Sequence, residues 1–480
     1  MSLYKCSICG YIYDEAKESN LFSELDDDYN CPMCGVPKNL FNRVEKIEEE
    51  KILKNAVAID KDNVAIKRII DKCIDCGLCK QTCIIKEGMD FDRNSELCLY
   101  CGQCIQSCPV KALVSRPNFN DVLKAKKAGK KIVAYTSPSV RASIGEIFNK
   151  YGSFEQEKMI GLLRMLDFDY VFDTTFAADL TIMEEASELV DRIKNNKKLP
   201  MFTSCCPAWV KYAQQFYPEL IDNISTCKSP IGMMGPVVKK YFTKENNMNE
   251  DDIYTVAITP CTAKKYEIRK DEITGTDLVI TVNELVDIIK EKNIKYDDIP
   301  NSQFDSFFKE GSGAGVIFGN TGGVMEAALR TAYHLITNKD LSSEVVFNDV
   351  RGYDNVKEAE IKIGELELSV AVIHQMSSAK DILEDVKNNN SKYDFIEIMN
   401  CCGGCIGGGG QPLTILNKAD DIKKQRIETL YKRDYDSNFK SSYQNPDIKK
   451  IYRDFLQHPL SDKSKELLHT KYEDKSYLKR

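Results

Sequence analysis

Residues 73–109 read CIDCGLCKQTCIIKEGMDFDRNSELCLYCGQCIQSCP. Within them the spacing Cys-x2-Cys-x2-Cys-x3-Cys occurs twice, at Cys73, Cys76, Cys79 and Cys83 and again at Cys98, Cys101, Cys104 and Cys108, the last followed by Pro109. It is the one clear internal repeat of the sequence. Of the 19 cysteines, twelve fall by residue 108, whereas all four histidines, His334, His374, His458 and His469, lie in the C-terminal third. Mixed Cys/His metal sites are therefore unavailable to the N-terminal region. The start MSLYKCSICG has neither a charged n-region nor an apolar h-region, so a cytoplasmic setting is expected. There thiols stay reduced, which favours metal ligation over disulfides.

A chain of 480 residues is expected to hold about three domains. With 42% apolar and 29% charged residues and no run of about 18 apolar residues, it reads as globular, with no membrane association. A net charge of -7 argues against nucleic acid as a partner, because neutralising phosphates needs a basic face. Small molecules or redox proteins suit it better.

Upstream of the repeat, Cys6-x2-Cys9 and Cys31-x2-Cys34 are each followed by glycine, Gly10 and Gly35. Two such knuckles make one tetrathiolate cage, and by spacing alone iron and zinc fit it equally. Residues 43–57, RVEKIEEEKILKNAV, are charged and helical in pattern, as in an exposed connector. Downstream of Lys124 the texture changes to short apolar runs, KIVAYTS, YVFDTTF, YTVAIT, GVIFGN and DFIEIMN, alternating with helical patterns such as IMEEASELVDRI and NELVDIIKEK. That alternation predicts α/β architecture with buried strands. The tail beyond Pro412 is polar, lysine-rich and helical in pattern, and is expected to pack on the large domain.

Seven cysteines remain in that large region, six of them in three strings: TSCCPAW at 203–209, TPCTAKKYE at 259–267 and EIMNCCGGCIGGGGQP at 397–412. Taken singly, each reads equally as a cluster site, a catalytic thiol or a glycine-rich turn with incidental cysteines. The run Gly407 to Gly410 by itself says only that the backbone is tightly bent or closely approached.

Three resemblances tie these pieces together. YKCSICGYIYD with YNCPMCGVPKNLF, and Tyr4, Tyr11, Tyr13, Tyr29 and Phe41 around the knuckles, resembles rubredoxin, which implies a one-electron iron site at Cys6, Cys9, Cys31 and Cys34, with zinc as the other metal that fits. The doubled run is the ligand pattern of bacterial ferredoxins with two [4Fe–4S] clusters, in which the fourth cysteine of each run serves the other cluster. The resemblance implies Cys73, Cys76, Cys79 and Cys108 for one cluster and Cys98, Cys101, Cys104 and Cys83 for the other. In this order after a two-cluster ferredoxin, the three downstream strings resemble the catalytic domain of [FeFe]-hydrogenases, with further similarity in TSPSVRASIGE, TIMEEASELVDR and LLHTKY. The implied fold is multidomain α/β: a rubredoxin-like metal domain at 1–42, a linker at 43–62, a ferredoxin-like α+β domain at 63–124, and a large two-lobed α/β catalytic domain at 125–480, whose helical C-terminal part is 413–480.

By that resemblance Cys206, Cys261, Cys401 and Cys405 hold the [4Fe–4S] part of an H-cluster, and Cys405 bridges to a two-iron subsite bearing CO, cyanide and a dithiolate amine. Lys264, Ser139 and Pro138 are implied as partners of the cyanides, with Met399 packing beside the subsite. On its own sequence Lys264 reads as an ordinary helix-start or surface lysine. The family's proton file maps onto Cys205, Glu185, Ser225, Glu188 and Arg192. Glu185, Glu188 and Arg192 fall at i, i+3 and i+7, one face of a helix, and the segment alone reads as a solvated acidic helix. A thiol suits a relay because burial and neighbouring charge move its pKa.

The implied activity is reversible reduction of protons to H2, with electrons supplied by an external redox protein such as ferredoxin or another carrier, and with hydrogenase maturation proteins as assembly partners. Alternatives are an H2 sensor, a non-catalytic iron–sulfur electron-transfer or assembly protein, and a rubredoxin-led path toward peroxide or oxygen reduction. Cys227 and Cys402 are left without a role. Ile231, Thr259 and Ala208 depart from the residues common at those positions in the family, and the histidine-ligated cluster of larger members has no histidine here before residue 334.

Overall fold

Glycine at positive φ sets the shape of the first 44 residues. In the computed structural model, which describes residues 2–15, 18, 20–44, 53–90, 94–308, 311–340, 347–414 and 418–479, Gly10 (φ 78°) and Gly35 (φ 72°) each close a tight loop onto the first cysteine of a knuckle. The Gly10 N–H donates to the Cys6 carbonyl (3.1 Å) and the Gly35 N–H to that of Cys31 (2.8 Å). An L-residue with a side chain rarely adopts this conformation. The strands β1 (Leu3–Cys6), β2 (Ile12–Asp14) and β3 (Phe41–Val44) form an antiparallel sheet in the order β2-β1-β3. Phe22 fills its centre, stacked on Tyr4 at 4.1 Å and meeting Tyr13, Tyr29 and Phe41.

The chain divides into two compact units, Met1–Lys54 and Asn55–Arg480. Of the charged connector expected at 43–57, residues 45–52 lie outside the described residues.

The second unit begins with a two-stranded antiparallel pair, β4 (Ile66–Arg68) and β5 (Leu113–Ser115), which encloses the doubled cysteine run. Two helices, Leu78–Glu87 and Gln103–Gln106, start directly after Gly77 and Gly102 at φ 79° and 72°. The large remainder is built on two sheets. The strands β6 (Lys131–Thr136), β7 (Tyr170–Asp173), β8 (Met201–Phe202), β9 (Ile253–Thr259), β10 (Leu278–Thr281), β11 (Val356–Ile363), β12 (Leu366–His374) and β13 (Phe395–Met399) divide into β10-β9-β6-β7, wholly parallel, and β11-β12-β13-β8, in which only β11 runs antiparallel. The parallel strands are buried on both faces over most of their length, as strands covered by helices require, whereas β11 alternates buried and exposed residues. The mixed α/β class expected from the sequence holds.

One helix organises the space between the sheets. Thr174–Asn195 leaves the end of β7, capped by the Asp173 carboxylate, which accepts from the Thr175 N–H (2.8 Å) and is paired with the buried Arg141. It buries Phe176, Ala177 and Leu180 in the core of the first sheet and Ala178, Ile182 and Leu189 in that of the second. The tail forms the helices Ala419–Asp436, Pro446–Ile451 and Asp462–Leu468, and it buries Ile448, Ile451, Leu456, Leu467 and Leu468 against the first sheet's core.

One expected strand is not a strand. GVIFGN lies at 315–320, and the structure has a helix there, Gly313–Ile317, capped by the Ser312 hydroxyl, which accepts from the Gly315 N–H (3.2 Å). The reason is packing: a Cβ at Gly315 would meet the Thr175 carbonyl oxygen at 2.6 Å. The glycines bring this turn against the long helix, an approach that period alone does not report.

Candidate active site and metal centres

The first unit holds one single-ion cage. The sulfurs of Cys6, Cys9, Cys31 and Cys34 all lie within 4.8 Å of one another, with 3.6 Å between Cys6 and Cys34 and 3.5 Å between Cys9 and Cys31. Among the described residues this is the one cysteine quartet close enough to share a single ion. Hydrogen bonding from the Cys9 N–H leads in lowering the Cys6 pKa to about 6, so its thiolate is favoured. Four soft anionic donors with two of them exposed suit a tetrahedral metal near the surface.

In the ferredoxin-like part, one cavity is lined together by Cys73, Cys76, Cys79 and Cys108, so the fourth cysteine of the second run closes the pocket of the first. Backbone N–H groups point at the sulfurs: Val57 donates to Cys79 (3.4 Å), Ala112 to Cys108 (3.2 Å) and Tyr100 to Cys98 (3.4 Å). Cys83, Cys98 and Cys104 form the other group. Burial, then the nearness of Cys98, pushes Cys83 up, and burial, then Cys83 and Cys98, pushes Cys104 up.

This region is sewn to the large sheets by polar contacts to the glycine run. Gln103 Nε2 donates to the Gly407 carbonyl (2.9 Å), Gln106 Nε2 to those of Gly409 (3.2 Å) and Gln411 (2.9 Å), and Thr262 Oγ1 to that of Tyr100 (2.6 Å). A Cβ at Gly409 would overlap the Cys101 carbonyl and the Gly102 backbone. The glycines therefore serve close approach between the second cysteine run and the third string.

The large site follows from strand direction. Ser137 to Ser139 follow β6, Thr174 follows β7, Cys205 and Cys206 follow β8, Pro260 and Cys261 follow β9, and Cys401 and Cys405 follow β13. Loops leaving the carboxyl ends of parallel strands are free to build a crevice. They bound a cavity of about 60 Å³ lined by Cys205, Cys261, Cys405, Lys264, Ser139, Pro138 and Met399. Ile231 and Thr259, two of the positions that depart from the family, also line it, whereas Ala208 is buried in the core behind the second sheet. Cys206 caps the helix Pro207–Phe216 and accepts from the Asn400 N–H (3.5 Å).

Burial pushes the thiols of Cys206, Cys261, Cys401 and Cys405 up, and in Cys401 and Cys405 the nearness of Cys261 and Cys206 adds to it. Four buried sulfurs that resist ionising together are offset by one cation. Burial works against charge on Lys264, but Glu267 and the Cys261 thiol outweigh it and raise its pKa. The Lys264 ammonium sits 2.8 Å from Glu267 and donates to the Cys205 carbonyl (3.0 Å). The hydroxyl of Ser139, buried on the cavity wall, has no protein partner. Soft donors from three strand ends, a fixed cation and an orphan hydroxyl around an enclosed cavity fit an iron–sulfur cluster extended by an iron subsite with polar ligands. The turn between Cys401 and Cys405 needs Gly404 (φ 92°), where a Cβ would meet the Thr321 nitrogen at 2.6 Å.

The helix Thr174–Asn195 is no solvated acidic helix: Glu184, Glu185, Glu188 and Arg192 are all buried. Burial, then the Glu188 charge, raises the Glu185 pKa to about 8, and Glu185 in turn adds to burial in raising Cys205. The Ser225 hydroxyl donates to Glu188 (3.0 Å), and Arg192 Nη2 donates to the other Glu188 oxygen (2.6 Å). Glu185 faces Ser225 and the Ser204 N–H without an ordinary hydrogen bond to either. Cys205, Glu185, Ser225, Glu188 and Arg192 are thus brought into one buried file. Sequence reasoning assigned nothing to Thr226, His469, Glu184 and Tyr452, which continue it. The signal was the lone histidine in LLHTKY, but its partners lie more than 200 residues away in the chain.

Comparison with known proteins agrees with this architecture. Residues 130–409 match the iron only hydrogenase large subunit, C-terminal domain; residues 420–475 the iron hydrogenase small subunit; residues 3–41 rubredoxin; and residues 92–114 a 4Fe-4S binding domain. The chain is 42% identical to iron hydrogenase 1 of Clostridium pasteurianum over 76% of its own length and 65% of that protein's. It thus spans less than two thirds of that relative. It is 40% identical to the NADP-reducing hydrogenase subunit HndD of Solidesulfovibrio fructosivorans over 85% of this chain and 75% of the relative. An apo [FeFe]-hydrogenase HydA1 structure from Chlamydomonas reinhardtii superposes with a TM-score of 0.64 at 36% identity, covering 74% of this chain and 98% of that one. Lower identities, 27 to 30%, link it to proteins named NAR1, cytosolic Fe-S cluster assembly factor and nuclear prelamin A recognition factor. No helix among the described residues is long and apolar enough to cross a membrane. With the large-subunit domain matched over more than half of its length and hydrogenase relatives at 40% identity or more, the chain belongs to the iron-only, or [FeFe], hydrogenase family of oxidoreductases.

Proposed function

We propose that the chain catalyses the reversible joining of two protons and two electrons into H2 at an H-cluster held by Cys206, Cys261, Cys401 and Cys405, in the reducing cytoplasm. The observation that carries this reading is the cavity shared by Cys261, Cys405, Cys205 and Lys264, from which a buried file of titratable side chains leads away. The group those cysteines would hold, an H-cluster of a [4Fe–4S] part and a two-iron subsite with CO, cyanide and a dithiolate amine, would supply when bound the redox chemistry of H2. The protein does the rest. Lys264 and Ser139 present donors to the cavity, Met399 and Pro138 exclude water, and Cys205 takes or gives a proton at its Sγ. Glu185, held largely neutral by burial, exchanges that proton toward Ser225 and Glu188, while Arg192 neutralises and orients Glu188.

Cys73, Cys76, Cys79 and Cys108 would hold one [4Fe–4S] cluster and Cys98, Cys101, Cys104 and Cys83 a second, and these would supply one-electron transfer toward the site. The seam of Gln103, Gln106 and Gly409 against the third string supports the short path they need. Cys6, Cys9, Cys31 and Cys34 would hold a rubredoxin-type iron, with zinc the other metal that fits, and iron there would supply one-electron chemistry shared with an external redox protein; hydrogenase maturation proteins are the assembly partners. The corresponding domains are 1–42, 63–124 and 125–480.

Infrared spectroscopy between the amide and water regions, paired with an H2 assay using a reduced dye, tests the reading on matured, anaerobically purified protein. Sharp CO and cyanide bands with H2 evolution are expected. Bands without turnover would make it a sensor, and a fully iron-loaded protein without bands would make it a non-catalytic iron–sulfur protein.

A further inference from the structure

The outer end of the file has a group that Arg192 cannot replace. Arg192 donates through Nε and Nη2 to Glu188 (3.1 and 2.6 Å) and to the carbonyls of Lys198 (3.1 Å), Asn223 (3.0 Å) and Ile224 (3.0 Å). A guanidinium stays protonated in proteins, so a fully engaged one positions Glu188 and releases no proton. Glu188 has a second set of contacts. It accepts from the Thr226 N–H (3.0 Å) and hydroxyl (3.1 Å), and the same hydroxyl lies 2.7 Å from His469 Nδ1. On the far side of the ring, His469 Nε2 lies 3.0 Å from Glu184. Glu184 is fixed by the Tyr452 hydroxyl (2.6 Å) and the Leu460 N–H (2.7 Å). The backbone locks the ring in place, since the Thr470 N–H donates to the Thr226 carbonyl (2.7 Å) and the Lys228 N–H to that of Leu468 (2.8 Å). Glu184 is fully buried, whereas the side chains of His469 and Glu188 keep 8% and 11% of their surface exposed, so the file meets solvent at this end.

We infer that His469 is the outermost proton-exchange group of this file and passes protons to Glu188 through the Thr226 hydroxyl. The inference rests on the file proposed for Cys205, Glu185, Ser225 and Glu188. A carboxylate facing Nε2 holds a proton on that nitrogen, which leaves Nδ1 to gain and lose one. In the direction of H2 formation, Nδ1–H of the imidazolium gives its proton to Thr226 Oγ1 as the Thr226 hydroxyl proton passes to Glu188. His469 goes from +1 to neutral, the Glu188 carboxylate from −1 to neutral, and no electron moves. H2 uptake runs the same transfer backwards. The titratable groups facing the ring are Glu184 and Glu188 from the long helix, Tyr452 from the tail and Cys227 beside Thr226, whose sulfur lies with the Glu188 and His469 donor atoms inside 4.8 Å. Imidazole is the side chain that changes charge near neutral pH, and it suits exchange with solvent.

The test compares matured wild type with His469→Ala, His469→Gln, Thr226→Val and Cys205→Ala, after infrared bands and iron content show the clusters present in each. His469→Ala and His469→Gln are expected to evolve H2 about 10-fold more slowly. Imidazole added to the buffer restores His469→Ala but not Thr226→Val, which lacks the hydroxyl link. In ¹⁵N NMR of histidine-labelled holoprotein, which has four histidines to assign, neutral His469 is expected as the Nε2–H form with Nδ1 titrating. Wild-type rates in His469→Gln, a slow His469→Ala that imidazole does not restore, or a neutral Nδ1–H form would each overturn the inference. If Cys205→Ala turned over normally, the file itself would fall; if Cys205→Ala is inactive and the His469 variants run at wild-type rates, only the role of His469 falls.

Discussion

Two of the molecule's four-thiol centres are made of the same ligand and built in opposite ways. Cys6, Cys9, Cys31 and Cys34 sit in two local knuckles within the first 34 residues, with two thiols exposed and all four sulfurs within 4.8 Å. Cys206, Cys261, Cys401 and Cys405 come from the ends of β8, β9 and β13 in two different sheets, with Cys405 packed against one large core and Cys206 and Cys261 against another. A unit of about 50 residues buries too little surface to be stable alone, and there metal binding is folding energy. In the large unit the fold comes first and the ligands converge on a finished crevice. The sharpest break of this contrast is ligand loss in each. Cys34→Ala is expected to strip the metal and unfold the first unit, seen by NMR and protease digestion, yet to leave dye-linked H2 turnover near wild type. Cys405→Ala is expected to give no measurable turnover with the large unit still folded. A first unit that stayed folded without its metal would erase the distinction.

The next effect separates holding from chemistry inside the large centre. Cys205 lines the same cavity as Cys261 and Cys405, but in the proposed mechanism it carries a proton rather than a metal. Cys205→Ala is expected to lower turnover by about 100-fold or more, the range of a lost acid–base group, with CO and cyanide bands intact. Loss of those bands would make Cys205 a holding residue instead.

What the sequence made legible follows the same contrast. The knuckles, the doubled run and the strands β6, β7, β9 and β13 were readable because each is set by neighbours a few residues away. GVIFGN was misread because a helix of small residues pressed on Thr175 shows the same short apolar run as a buried strand. The acidic helix could be placed by period, but its burial could not, since burial comes from the tail and from the segment 224–227 closing over it. For the same reason His469 carried no visible role: Thr226 and Glu184, which give it one, are 243 and 285 residues away.

Burial on that helix also predicts a pH signature. Glu185 is raised from an ordinary 4.5 to about 8, first by burial and then by Glu188. Below pH 4.5 it is protonated in both folded and unfolded chains. Between 4.5 and 8 only the folded state keeps the proton, so stability falls as pH rises through that window and levels off above 8. Glu185→Gln is expected to remove this slope, a difference on the order of a few kcal/mol at pH 8 in urea denaturation of the large unit. Parallel slopes in the two proteins would mean that Glu185 is charged in the fold.

The smallest effect sharpens the comparison most, because it concerns the same residue type used for two reasons. Gly35 in the first unit has φ 72° and nothing within 4 Å of where a Cβ would lie, so its requirement is conformational. Gly409 has no positive φ, but a Cβ there would overlap Cys101 and Gly102 across the seam, so its requirement is space. Gly35→Ala is expected to cost about 1 kcal/mol through backbone strain, and Gly409→Ala about 1 to 3 kcal/mol through overpacking. Asparagine distinguishes the causes. It tolerates the left-handed region better than alanine does, so Gly35→Asn should recover part of the loss, whereas the larger side chain at Gly409 should deepen it. Thermal unfolding of the four variants reads the order directly: if Asn is milder than Ala at both positions, the seam at Gly409 is held by conformation rather than contact, and the close approach assigned to the glycine run is wrong.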